Sequence, residues 1–173
     1  MATPTEKCQP WLHDGDPCEM KAEKIAAAQT FGVGAPLQKK DGQVLLAEDC
    51  ASNAANCALY GFAYAAAAAP DEDTEIYVAQ INADQLWAMW VATGGTDTAC
   101  ALDIMGDTYG HAVEATSPFK GYMTLDLGYT TYMSWRVMNV MSNLDTKIVA
   151  SVSTAPGVAI CRVLQSALDV VSD

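Results

Sequence analysis

Cys100 and His111 stand eleven residues apart, and a thiol beside an imidazole is the pairing that nucleophilic catalysis requires. Spacing alone does not bring them together, and an unaligned Cys/His pair is a weak signal. Cys8, His13 and Cys18 form a second set, spaced five apart. Three such ligands can begin a zinc site, but structural zinc takes four, and this spacing matches no usual zinc motif. Asp71, Glu72, Asp73 and Glu75 could attract calcium, yet the glycine and ligand order of a calcium loop are missing. They read as a solvated loop tip. No phosphate loop, dinucleotide fingerprint or Gly-x-Ser-x-Gly elbow occurs. Trp87, Trp90 and Trp135 read as fillers of a core or interface rather than as a sugar site. The expectation is a chain without catalytic residues, metal or cofactor, which is not an enzyme.

Six cysteines, at 8, 18, 50, 57, 100 and 161, raise the question of redox state. The first 24 residues show no secretion signal, so thiols are the expected form. Cys8 with Cys18, and Cys50 with Cys57, are the pairs close enough in sequence to bridge, and a particle released from a lysed cell would meet oxidising conditions. The formal net charge is −12, and the nine Lys and Arg are scattered. No basic stripe exists to displace counterions from a phosphate backbone, so neither nucleic acid nor an anionic membrane is an expected partner. Residues 54–69 are mostly alanine and carry Asn56, which leaves them short of a membrane span. An apolar share of 51% is too high for a disordered chain, and 173 residues suit one domain or two very small ones. The expectation is a soluble protein.

The elements that would position these residues read as short strands. Residues 1–30 form an expected arm, with Pro10, Trp11 and Leu12 as apolar anchors for a partner. Residues 17–29 have helical composition, with Asp16 as a cap and Pro17 at the first position, which predicts a short helix. From Phe31 onward, apolar runs alternate with turn residues. Strand-like sequence on either side of Lys40-Asp41-Gly42 predicts a hairpin. Residues 59–65 (LYGFAYA) alternate with a period of two, and Gly61 marks a close backbone approach. They pair with residues 76–81 in a second predicted hairpin, with the acidic cluster at its tip. Residues 86–91 fit either a strand or a short helix capped by Asn82 or Asp84. Residues 106–113, 133–141, 147–152 and 157–164 are strand-like; in the second of these, Met133, Trp135, Val137, Asn139 and Met141 are predicted to share one face. Strands about ten residues apart with polar turns predict a mainly β chain, a barrel or sandwich rather than βαβ units. The predicted organisation is an extended arm (1–30), a first β unit (31–98) and a second β unit (99–173), or one continuous domain in place of the two units.

The run from Ala35-Pro36-Leu37 through residues 43–49 (QVLLAED) and 59–63 (LYGFA) to residues 75–79 (EIYVA) resembles the head decoration, or cement, proteins of tailed phages, of the lambda-like β-tulip type. Gly106-Asp107-Thr108-Tyr109-Gly110 and the stretch from Trp135-Arg136-Val137 to Val149 add to the likeness, which spans residues 31–152. The resemblance implies a small β-barrel, commonly a homotrimer, seated on the capsid exterior and bound to the major capsid protein through its N-terminal arm. It implies synthesis in the host cytoplasm and a final place on the virion. The chain departs from shorter members in its length, its six cysteines and its second β unit. A head-fibre base, a tail-associated protein or a carbohydrate-binding domain is the alternative expectation.

Overall fold

The computed structural model describes residues 9–51, 53–94, 96–100, 102–114, 121–141 and 157–168. The chain is mainly β. Its strands in order are β1 (Trp11–Asp14), β2 (Glu19–Lys24), β3 (Thr30–Phe31), β4 (Pro36–Lys40), β5 (Gln43–Leu46), β6 (Gly61–Ala63), β7 (Ala67–Ala68) and β8 (Glu75–Gln80). They continue with β9 (Leu86–Thr93), β10 (Thr96–Asp97), β11 (Thr108–Val113), β12 (Met123–Asp126), β13 (Trp135–Met141) and β14 (Val158–Val163), and a single-turn helix α1 (Gln165–Leu168) follows. Among the described residues, no helix is long and apolar enough to cross a membrane.

Two curled sheets share the work. One runs β2-β8-β6-β4-β5, and its ends meet at the Ile25–Val44 bridge, where the Ala26 amide donates to the Val44 carbonyl at 3.0 Å. Ile25, Leu37, Val44, Tyr60 and Val78 fill its interior. The other runs β9-β12-β11-β13-β14, and β14 pairs back onto β9, which closes the ring. Trp87, Met89, Met123, Leu125, Trp135 and Val137 lie in its core. Phe62 packs against Trp87 with tilted rings and centroids 4.6 Å apart, joining the two sheets through one apolar layer.

The predicted hairpin at Asp41-Gly42 is present. Lys40 faces Gln43, and Asp41 and Gly42 both hold positive φ (51° and 79°), the two-residue turn whose twist suits a β-hairpin. The second hairpin, β6 with β8, is present as well. A Cβ on Gly61 would lie 2.5 Å from the Ala79 carbonyl oxygen, so only glycine lets these strands approach. The acidic residues 71–75 are exposed, with Lys24 3.5 Å from Asp73 and the Gln43 amide donating to Asp73 at 3.0 Å.

Four expectations need correction. The segment assigned to a helix within 17–29 is strand β2, paired with β8 from Glu19–Gln80 to Lys24–Glu75. Pairing and the inward reach of Glu23 override helical propensity; the helix of the described residues is α1 instead. The extended arm is also absent from residues 9–30, because β1 pairs with β9 in one sheet and β2 with β8 in the other. The boundary between the β units therefore does not fall at residues 98–99. β9 belongs with the later strands, and β1 joins it from the opposite end of the chain. Finally, the face predicted for residues 133–141 holds only to Val137. A bulge between Val137 and Asn139 shifts the phase, so Val140 enters the main core and Met141 a separate cluster. The predicted strand at 147–152 lies outside the described residues.

Glu23 gives the first barrel a polar clasp. The Lys39 ammonium donates to it at 2.8 Å, the Tyr60 hydroxyl donates to its other oxygen, and Lys39 sits 5.1 Å from the centre of the Tyr60 ring. Burial pushes the Glu23 carboxyl up, but the bonds from Lys39 and Tyr60 outweigh it and leave the group below its ordinary value. A lowered native pKa stabilises the fold above the ordinary value of 4.5, and that contribution is lost as pH falls through the lower native value. Glu23→Gln is therefore expected to cost about 1 kcal/mol at neutral pH. In urea titrations, its difference from wild type should shrink as pH drops below 4.5. A difference unchanged by acid would show that the clasp does not depend on the carboxylate.

Candidate functional site

The loop between β5 and β6 leaves one sheet and crosses the other. Asp49 accepts a hydrogen bond from the Val113 amide, and the Cys50 amide donates to the His111 carbonyl at 3.0 Å, so the loop lies along β11. Gly110 makes this possible: a Cβ there would stand 2.5 Å from the Cys50 Cβ and 2.6 Å from the Tyr132 carbonyl oxygen. The loop then turns through a short 3₁₀ helix, Ala54–Cys57, capped by the Asn53 side chain on the Ala55 amide. That turn returns Cys57 to face Cys50.

The result is a buried cluster of Cys50, Cys57, His111 and Ser134. Cys50 Sγ is 3.3 Å from His111 Nδ1 and 3.5 Å from Ser134 Oγ, and Nδ1 is 2.7 Å from the same hydroxyl. His111 Nε2 is 3.0 Å from the Glu48 carbonyl oxygen. A carbonyl only accepts, so Nε2 carries a hydrogen and Nδ1 faces the sulfur and the hydroxyl. Cys57 donates to Cys50. That bond, together with His111 and Ser134, holds the Cys50 thiol well below its ordinary value despite burial. The Cys57 thiol is pushed up, first because it supplies that bond and then by its own burial. Beside Cys57 lies a cavity of about 320 Å³ whose walls include Ala54, Tyr132, Met133 and Ser166.

The thiol beside His111 is Cys50, not Cys100, whose spacing from His111 was a weak signal. Cys100 sits elsewhere, its sulfur 3.5 Å from the Val158 carbonyl oxygen, and burial pushes its pKa up. Cys50 and Cys57, singled out by spacing, do come together and are free thiols. Cys18 meets the Gln85 amide at 3.4 Å, while Cys8 lies outside the described residues. His13 is exposed on β1, and among the described residues no group of three metal-binding side chains occurs.

Pro10, Trp11 and Leu12, the expected anchors for a shell, lie against the protein itself. Pro10 is buried. Trp11 pairs with Ala88 and packs on the cluster of Trp90, Val158 and Ile160, and Leu12 pairs with Trp87 and packs on the main core. What does face outward is a strip of the first barrel. Tyr64 and Tyr77 are 65% and 59% exposed, and the Tyr64 amide donates to the Tyr77 carbonyl at 3.0 Å. Antiparallel register puts their side chains on the same face. Tyr77 is opposite Ala22, and the next row pairs Ala79 with Met20, which is 42% exposed. On the other sheet, Arg136 and Arg162 are directly opposed beside a groove of about 360 Å³.

No family model, curated protein or solved structure matches the chain.

Proposed function

We propose that the chain is a decoration protein that binds the outer surface of a phage head and stabilises the shell, working by adhesion rather than by catalysis. The observation that carries this reading is the strip of Tyr64, Tyr77 and Met20 on a rigid barrel wall. Large aromatic side chains on a pre-ordered surface bind with little entropy loss, and they are the usual centres of binding energy. The body carries a net charge of −12, which disfavours contact with packaged DNA and suits an outward-facing place. The partners in this reading are the major capsid protein and further copies of the chain, arranged as a homotrimer. Modest contacts suffice, because repetition over a shell multiplies them. The arm's role passes to β1, an edge strand whose outer side has no strand partner among the described residues. Its bulge between Leu12 and Asp14 limits indiscriminate pairing of that edge.

The same tyrosines favour a second reading, a carbohydrate-binding module, since exposed aromatic rings also suit sugars. Co-sedimentation of the purified protein with expanded heads separates the two. The decoration reading expects saturable binding to assembled shells, none to free coat subunits, and heads that survive higher temperature. Failure to bind heads, with clear glycan-array hits, would favour the second reading.

A further inference from the structure

The geometry points to Cys50 and Cys57 as an oxidant-reactive dithiol that hydrogen peroxide closes to a disulfide, with His111 as its proton acceptor and the cavity at Cys57 as the entrance. The inference stands apart from the proposed adhesion, since it uses neither the tyrosine strip nor the β1 edge.

The arrangement differs from that of an idle buried thiol. Cys100 and Cys161 are buried too, and burial drives both thiols up, toward the inert neutral form. Around Cys50, by contrast, three donors converge: the Cys57 thiol, the Ser134 hydroxyl and, once protonated, His111 Nδ1. They stabilise a thiolate at Cys50 in a place closed to bulk water. The Glu48 carbonyl holds the ring from its far side and keeps Nδ1 turned to the sulfur. The short 3₁₀ turn carries Cys57, the hydrogen-bond partner of Cys50, and Cys57 lines the cavity. A nucleophilic sulfur, a resolving sulfur, a proton acceptor and a path for a small oxidant are therefore in one place.

The chemistry balances without another reagent. Peroxide entering past Cys57 meets Cys50, which gives its proton to His111 Nδ1 and attacks the nearer oxygen. The O–O bond breaks, Cys50 becomes a sulfenic acid, and the leaving hydroxide takes the proton from His111 and departs as water. The Cys57 sulfur then displaces the hydroxyl from Cys50. The S–S bond forms, and the Cys57 proton leaves with that hydroxide as the second water. Two thiols are oxidised by two electrons, and one peroxide is reduced to two waters.

The test is peroxide titration of the native full chain, followed by alkylation and peptide mapping under non-reducing conditions. The expected result is a loss of two hydrogens, a peptide cross-linked between Cys50 and Cys57, return of both thiols on adding a dithiol reductant, and Cys100 and Cys161 still alkylated after unfolding. His111→Gln should slow the closure by about tenfold or more, the scale of a lost acid–base group. Oxidation of Cys18 or of methionines while Cys50 and Cys57 stay reduced would overturn the proposal. Closure at the wild-type rate in a folded His111→Gln protein would remove His111 from it. The mapping uses unaltered protein and decides the dithiol claim even where the variant does not fold.

Discussion

Trp135→Ala is expected to remove about 4 kcal/mol of stability, the largest loss from any single truncation of the core. Trp135 is fully buried, pairs with Val163 on β14 and with Tyr109 on β11, and belongs to the central cluster of the closed second ring. Neighbouring strands close on that indole from two sides, and a ring of paired strands cannot collapse freely into the space it leaves. Transfer and cavity losses therefore add. Against a total stability of about 5–15 kcal/mol, the variant should melt about 10 °C lower. Arg136→Ala, one residue along and exposed, should change stability by less than about 0.5 kcal/mol. Calorimetry of the two variants checks both figures. Equal effects at the two positions would contradict the inward assignment of Trp135.

The second large effect concerns binding. Tyr64→Ser with Tyr77→Ser removes the two most exposed rings of the barrel wall while leaving its interior intact. Stability should barely move, since neither ring fills the core. Affinity for expanded heads should fall about a hundredfold, which corresponds to roughly 3 kcal/mol. Retained binding by the double variant would place the contact elsewhere, for instance at the β1 edge or the Arg136–Arg162 groove. Heads that lose the variant should also lose the added heat resistance, which ties adhesion to stabilisation.

Much of the fold was legible in the residues, for local reasons. Asp41-Gly42 can hold positive φ at both positions, so the turn chemistry wrote the hairpin into the sequence. Gly61 marked a close approach because no other residue fits against Ala79. Strand β9 was ambiguous because it is buried on both sides: Trp87, Met89 and Val91 face the ring interior, while Ala88 and Trp90 face the outer cluster with Trp11. Burial on both faces erases the alternation that identifies a strand. Strand β2 was misleading for the opposite reason. Its Glu, Met, Lys and Ala content favours helix, and only the distant partners Lys39, Tyr60 and β8 make a strand the better state.

The candidate site was half legible. Spacing flagged Cys50 with Cys57, because seven residues are few enough to return two sulfurs to one place. The partnership of Cys50 with His111 spans sixty-one residues and depends on a loop laid along β11. Nothing local encodes that contact except Gly110, whose lack of a side chain admits Cys50. The tyrosine strip was hidden likewise, since Tyr64 and Tyr77 become neighbours only through the β6–β8 register.

Electron microscopy of heads saturated with the purified protein is the most direct measurement. Ordered extra density on the outer surface, with the wall bearing Tyr64 and Tyr77 turned toward the coat, is the result that an adhesive role requires. Bare heads at saturating protein, or density with that wall facing solvent, would contradict it.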